Sequence, residues 1–121
     1  MSHIVAIATE VRDIEAIIAA CRRLGLKPPR EGRATLYEGE AQGVLVELPD
    51  WLYPVVCKLL TGEVLFDNYG GEWGHQRELD KFLQAYAIEK AAQEARKQGY
   101  SVFEEVLQDG SVQLRIQGGD A

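Results

Sequence analysis

The feature that most narrows what this chain can fold into is one long helical pattern in its C-terminal half. Leu79, Phe82, Leu83 and Tyr86 fall at i, i+3, i+4 and i+7, the spacing that gathers side chains on one face of a helix with a period of about 3.6 residues. After Ala87 the stripe gives way to a different, small-residue face at Ile88, Ala92 and Ala95. Such a helix buries a bulky stripe on a sheet and still accepts a close neighbour along its alanines. Arg96 and Lys97 sit where the macrodipole favours positive charge, and Gly99 supplies the left-handed residue that closes a helix. A turn-rich approach, Asp67, Asn68, Tyr69, Gly70, Gly71, Glu72, Trp73, Gly74 and His75, leads into it.

The rest of the chain reads as short strands and one further helix. His3 to Thr9 alternates two apolar sets, as in a strand covered on both faces and central in its sheet. Asp13 stands before Ile14, Ile17, Ile18, Cys21 and Leu24, an N-capping carboxylate opening an apolar stripe that Arg22, Arg23 and Gly25 close. Lys27, Pro28, Pro29 and Arg30 form an extended connector. Arg33 to Tyr37, Val44 to Leu48, Tyr53 to Leu60 and Glu63 to Asp67 then alternate as strands, separated by Gly39 to Gly43, by Pro49 to Leu52 and by the turn Thr61 and Gly62. Pro49 and Pro54 place that corner at a sheet edge. After the long helix, Ser101 to Leu107 and Ser111 to Gln117 flank Asp109 and Gly110, a hairpin with one wet face.

The order is thus strand, helix, four strands, helix, two strands. It predicts an α+β domain over residues 1–117, two helices on one face of a mainly antiparallel sheet of about six to seven strands, with a disordered tail at 118–121. At 121 residues with 46% hydrophobic content, one domain with a genuine core is expected.

A net charge of −6 disfavours both a nucleic-acid duplex and an anionic membrane as partner, because each is bound through clustered Lys and Arg. The sequence lacks a spanning run and the charged-then-apolar order of a signal peptide, which leads us to expect the cytoplasm or the equivalent plastid stroma. Cys21 and Cys57 fall in apolar patterns and read as small buried hydrophobes rather than a disulfide pair.

Chemistry-bearing residues are few. The stretch Gly70, Gly71, Glu72, Trp73, Gly74 has no Lys and no Ser or Thr after its last Gly, so it is not a phosphate loop, and acidic Asp67 and Glu72 would repel phosphate. Its glycines read instead as a tight turn packed under Trp73. Asp67, Glu72 and His75 offer carboxylate, carboxylate and imidazole on one loop for metal or acid–base work, but with one His and no Cys at ligand spacing. Glu72 and His75 read more readily as residues near the helix start, where the dipole favours Glu and His is simply tolerated. Met1, Ser2 and His3 could chelate copper or nickel, although removal of Met1 would spoil the spacing. Arg22, Arg23, Lys27, Arg30 and Arg33 form a basic cluster able to dock an anion, or simply a helix end and a solvated connector. Trp51, Tyr53, Tyr69 and Trp73, with Glu72 and His75, make an aromatic partner-binding candidate, or else core filling. No catalytic constellation, metal set or cofactor motif is read.

Across nearly the whole length, groups of residues resemble one family. Met1 to Ile4, Arg12 and Asp13, the run Cys21 to Leu26, Asp67 to Tyr69, Phe82 to Tyr86, Glu94 to Gly99 and Asp109 to Ser111 are similar to the uncharacterised chloroplast reading frame thirty-five (Ycf-thirty-five-like) family of algal plastids and cyanobacteria, domain of unknown function twelve fifty-seven. Lys27 to Leu60 matches least. The resemblance implies a protein of photosynthetic and other bacteria with no established catalytic residue. Its genomic neighbours, ring-forming ATPases and another small domain, imply an accessory role. The leading expectation is therefore a non-enzymatic cytoplasmic accessory or adaptor protein acting through a protein partner. The alternatives are a small metal- or ligand-binding enzyme using Asp67, Glu72 and His75, and a structural subunit of a larger assembly, with a homo-oligomer also open.

Overall fold

The computed structural model describes residues 4–7 and 9–118. The readings made for Met1 to His3, for Ala8 and for the tail at 119–121 lie outside the described residues. The elements are β1 (Val5–Ile7), α1 (Ile14–Arg23), β2 (Arg30–Leu36), β3 (Gly39–Val46), β4 (Val55–Lys58), β5 (Glu63–Phe66), α2 (Gln76–Lys97), β6 (Ser101–Val106) and β7 (Val112–Gln117). This is the expected α+β class, with every described strand pairing antiparallel.

Both helices begin where a side chain satisfies free backbone N–H groups. The Asp13 carboxylate accepts from the N–H of Glu15 at 2.9 Å and of Ala16 at 3.3 Å. For α2 the cap is His75, whose Nδ1 accepts from the Arg77 N–H at 3.1 Å. Gly99, at φ 87°, closes α2 while the Tyr100 N–H returns to the Ala95 carbonyl at 3.0 Å. The helices cover one sheet face. Ile17, Ala20 and Cys21 of α1 and Leu79 and Phe82 of α2 are fully buried on Val44, Val46, Val55, Cys57, Val64 and Phe66. Tyr86 and Lys90, one turn apart on α2, lock the two helices together. The Tyr86 hydroxyl accepts from the N–H groups of Arg12 and Asp13, each at 3.1 Å, and donates to the Glu10 carbonyl at 3.3 Å. Lys90 Nζ donates to Asp13 Oδ2 at 2.9 Å.

The main sheet runs β1-β5-β4-β3-β2, which corrects two expectations. β1 is an edge strand rather than a central one, and β3 and β4 are interior although Pro49 and Pro54 lie between them. The prolines sit in the connector, outside the ladder, so they remove no sheet hydrogen bond. Gly39 to Gly43, read as a loop, is the first half of β3, paired residue by residue with β2.

That half of β3 does not run straight. Val44, Cys57, Val64 and Ile7 lie in one row across the sheet. Gly39 lies beyond that row in one direction and Ile4 beyond it in the other. At about 3.3 Å per residue a flat sheet would hold them more than about 20 Å apart. Yet a Cβ on Gly39 would lie 4.0 Å from the Ile4 side chain. The β2–β3 hairpin therefore folds back over the second sheet face. Its buried Ala34, Leu36 and Ala41 pack there on Leu45 and Val56, flanked by Ile4, Tyr53 and Leu65. The fold lies where β3 parts from β4, at Gly32 and Gly43, which face each other across the ladder. A Cβ on Gly43 would approach the Cys57 carbonyl to 2.6 Å, so only glycine permits the crease.

The seven strands among the described residues divide into two sheets rather than one, because β6 and β7 form a separate hairpin. The reason is length. The 22 residues of α2 span about 33 Å, more than the short strands beneath, so the chain re-emerges beyond the sheet. Ala92 and Ala95 are buried but belong to neither core cluster, and the hairpin packs on that end of α2. Arg23 secures it, pairing with Glu89 of α2 and Glu104 of β6, each at 2.7 Å.

Gly43→Ala should lower stability by about 1–3 kcal/mol, measured by urea unfolding; an unchanged midpoint would show that the crease does not need this glycine. Glu104 is held below its usual pKa, chiefly by the hydrogen bond from Arg23. Its stabilising contribution is therefore present above the ordinary value of 4.5 and is lost as pH falls through the depressed folded value. Hydrogen exchange at 102–106, corrected for intrinsic rates, should accelerate in acid and in Glu104→Gln at neutral pH, while β3 and β4 stay protected.

Candidate functional site

The loop between β5 and α2 is built around Asn68. Its side-chain amide donates to the Gly74 carbonyl at 3.1 Å, and its carbonyl accepts from the Trp73 N–H at 2.9 Å. The Trp73 carbonyl in turn accepts from Leu52 at 2.8 Å, tying the loop to the β3–β4 connector. Tyr69, Gly70 and Gly71 turn the chain with positive φ. Tyr69, at φ 48°, has no glycine exemption, and the left-handed region costs an ordinary residue about 1–2 kcal/mol.

This path brings Trp73 into a cluster of three tyrosines. Tyr69 stacks on it at 4.7 Å between ring centroids, Tyr37 meets it at 5.2 Å and Tyr53 lies edge-on at 5.8 Å. Tyr37 comes from the tip of the folded-back β2–β3 hairpin, so Trp73 holds that tip down. Tyr37 remains 61% exposed and Tyr69 39% exposed, and Glu72 beside them is exposed. Tyr37 was not among the sequence candidates. Its signal, an aromatic in a tight hairpin turn, gains meaning only once the hairpin is known to fold back.

The other expected partner-binding residues point elsewhere. Trp51 packs on the helix side, edge-on to Phe66 at 5.8 Å, and its Nε1 donates to the His75 carbonyl at 3.1 Å. A Cβ on Gly74 would collide with the Trp51 ring, so these two residues interlock across the loop. His75 caps α2, where the sequence reading left it merely tolerated.

Asp67, Glu72 and His75 do not converge. Asp67 is 1% exposed, with Oδ1 accepting from the Tyr69 N–H at 3.4 Å and Oδ2 unpartnered. Glu72 faces solvent, and His75 Nδ1 is occupied by the helix cap. Among the described residues no three His, Cys, Asp or Glu side chains stand close enough together to hold a metal ion. The arrangement can position a backbone turn and present aromatic surface; it does not assemble an acid–base pair.

The basic candidates are divided. Arg23 bridges Glu89 and Glu104, Lys27 lies 3.5 Å from Glu47 and Arg33 lies 3.8 Å from Glu40. Arg22 and Arg30 are exposed, with no ion pair among the described residues. Arg30 and Arg33, three apart on β2, project to opposite faces. Cys21 and Cys57 are free and buried, and burial pushes their thiols up to about 11 and about 12, where little nucleophilic thiolate exists at neutral pH.

A groove of about 470 Å³ runs between Thr9 to Val11 and α2, lined by Val11, Leu83, Tyr86 and Ala91. Its polar groups Lys90 and Glu94 are already paired, with each other and, for Lys90, with Asp13. No helix among the described residues is long and apolar enough to cross a membrane.

Comparison with protein-family models, with curated proteins and with solved structures gives no match.

Gly74→Ala should displace the Trp51 ring and cost about 1–3 kcal/mol, read as a lower urea midpoint with red-shifted tryptophan emission. Unchanged emission would contradict the interlock.

Proposed function

We propose that the protein is a non-enzymatic cytoplasmic accessory or adaptor protein, which engages a protein partner through the aromatic patch of Tyr37, Tyr69 and Trp73 with Glu72 at its border. One observation carries the reading. Tyr69 keeps a left-handed backbone and a partly exposed ring stacked on Trp73, beside the still more exposed Tyr37. Backbone strain that leaves an aromatic surface in water is characteristic of sites kept for recognition, and Tyr and Trp are enriched where binding energy concentrates. The resemblance to the Ycf-thirty-five-like family supports an accessory role and suggests a ring-forming ATPase, or another small domain, as the partner to try first. The spread of Asp67, Glu72 and His75 argues against the metal- or ligand-binding enzyme.

The test is a partner recovered by co-purification from native cells, identified, purified and titrated calorimetrically. Tyr37→Ala with Tyr69→Ala should weaken binding at least about tenfold while the far-ultraviolet spectrum is kept. Unchanged affinity would refute the patch. Turnover on a hydrolase or transferase panel that is lost in Glu72→Ala and His75→Ala would refute the non-enzymatic reading.

A further inference from the structure

β7 pairs with β6 along one edge, and among the described residues nothing pairs with the other. Chains usually blunt such an edge with Pro, charged side chains, Lys above all, or a bulge. β7 has only Arg115 to serve in this way. Its residues Val112, Gln113, Leu114, Arg115, Ile116 and Gln117 include one charge and no carboxylate, in a chain of net charge −6. β6 differs, carrying Glu104 and Glu105. The hairpin is also where apolar surface stays in water. Of the ten exposed large hydrophobic side chains among the described residues, five, Tyr100, Phe103, Val106, Leu107 and Ile116, lie on it or at its ends.

We propose that β7 pairs antiparallel with β7 of a second copy of this chain, across a two-fold axis centred on Leu114, giving a four-stranded sheet β6-β7-β7-β6. The pattern is self-complementary about that residue. Leu114 meets its symmetry mate, Val112 meets the partner's Ile116, and Arg115 meets the partner's Gln113, so apolar faces apolar and no like charges oppose. A centre on Arg115 sets arginine against arginine, which is unfavourable. A one-residue shift sets the apolar row against the polar one. A centre on Gln113 leaves Ile116 opposite the Gly110 turn. This surface is distinct from the aromatic patch, and the proposal stands or falls independently of it.

Light scattering of the full chain at about 100 µM should give twice the 13.5 kDa chain mass. Gln113→Lys separates the interface from the fold, because position 113 faces Glu105 within its own hairpin but the partner's Arg115 across the axis. The variant should keep its spectrum and melting temperature while its dimer dissociation constant rises at least about tenfold, with two like-charge contacts created per dimer. Gln113→Lys combined with Arg115→Glu should restore the dimer. A monomeric wild-type chain, a dimer indifferent to Gln113→Lys, or a double variant that stays monomeric would each overturn the proposal.

Discussion

The crease at Gly32 and Gly43 is the constraint on which the second half of the architecture rests. A five-stranded antiparallel sheet with helices on one face has a second apolar face to cover, and no third α-helix is present among the described residues to cover it. This chain covers part of that face with its own edge hairpin. Bending a ladder so sharply brings backbone against backbone, and at Gly43 no side chain fits beside the Cys57 carbonyl. Once bent, Ala34, Leu36 and Ala41 bury against Leu45 and Val56, and the hairpin tip must be held. Trp73 does the holding through Tyr37, which makes the glycine-rich loop before α2 a latch as well as a turn.

The helical side depends on a different joint. The hydroxyl of Tyr86 and the ammonium of Lys90 reach from α2 to the start of α1, satisfying backbone donors and the capping carboxylate together. The same hydrogen bond from Lys90 is the main reason the Asp13 carboxyl is held below its usual pKa. Arg23 extends this bracing from α1 through α2 to the distal hairpin. Three charged groups of the sequence that looked available to a ligand, Arg23, Lys27 and Arg33, thus turn out to have acidic neighbours on the fold itself.

What could be read from residues alone followed the strength of local signals. Asp13 as a cap, Gly25 and Gly99 as terminators, the stripe Leu79 to Tyr86 and the Asp109-Gly110 turn all rest on contacts within a few positions, and each stands in the structure. The crease and the latch were not legible, because they couple Gly43 to Cys57, Gly39 to Ile4 and Tyr37 to Trp73, pairs joined only by the fold. Gly39 to Gly43 looked like a loop for the same reason, since its glycines mark close backbone approach rather than a break in pairing. Of the aromatic candidates, Tyr53, Tyr69 and Trp73 come together in the structure, whereas Trp51 parts from them because alternation along an irregular connector does not say which side of the sheet a ring takes.

The architecture therefore comes down to whether the β2–β3 hairpin lies back across the sheet in solution. Nuclear Overhauser contacts on the full chain decide it. The folded-back arrangement requires cross-peaks between the Ile4 δ-methyl and the Gly39 α-protons, and between the Tyr37 and Trp73 rings. A hairpin whose Gly39 shows contacts only to Leu36 and its immediate neighbours, with the Tyr37 ring free of Trp73, would contradict the account.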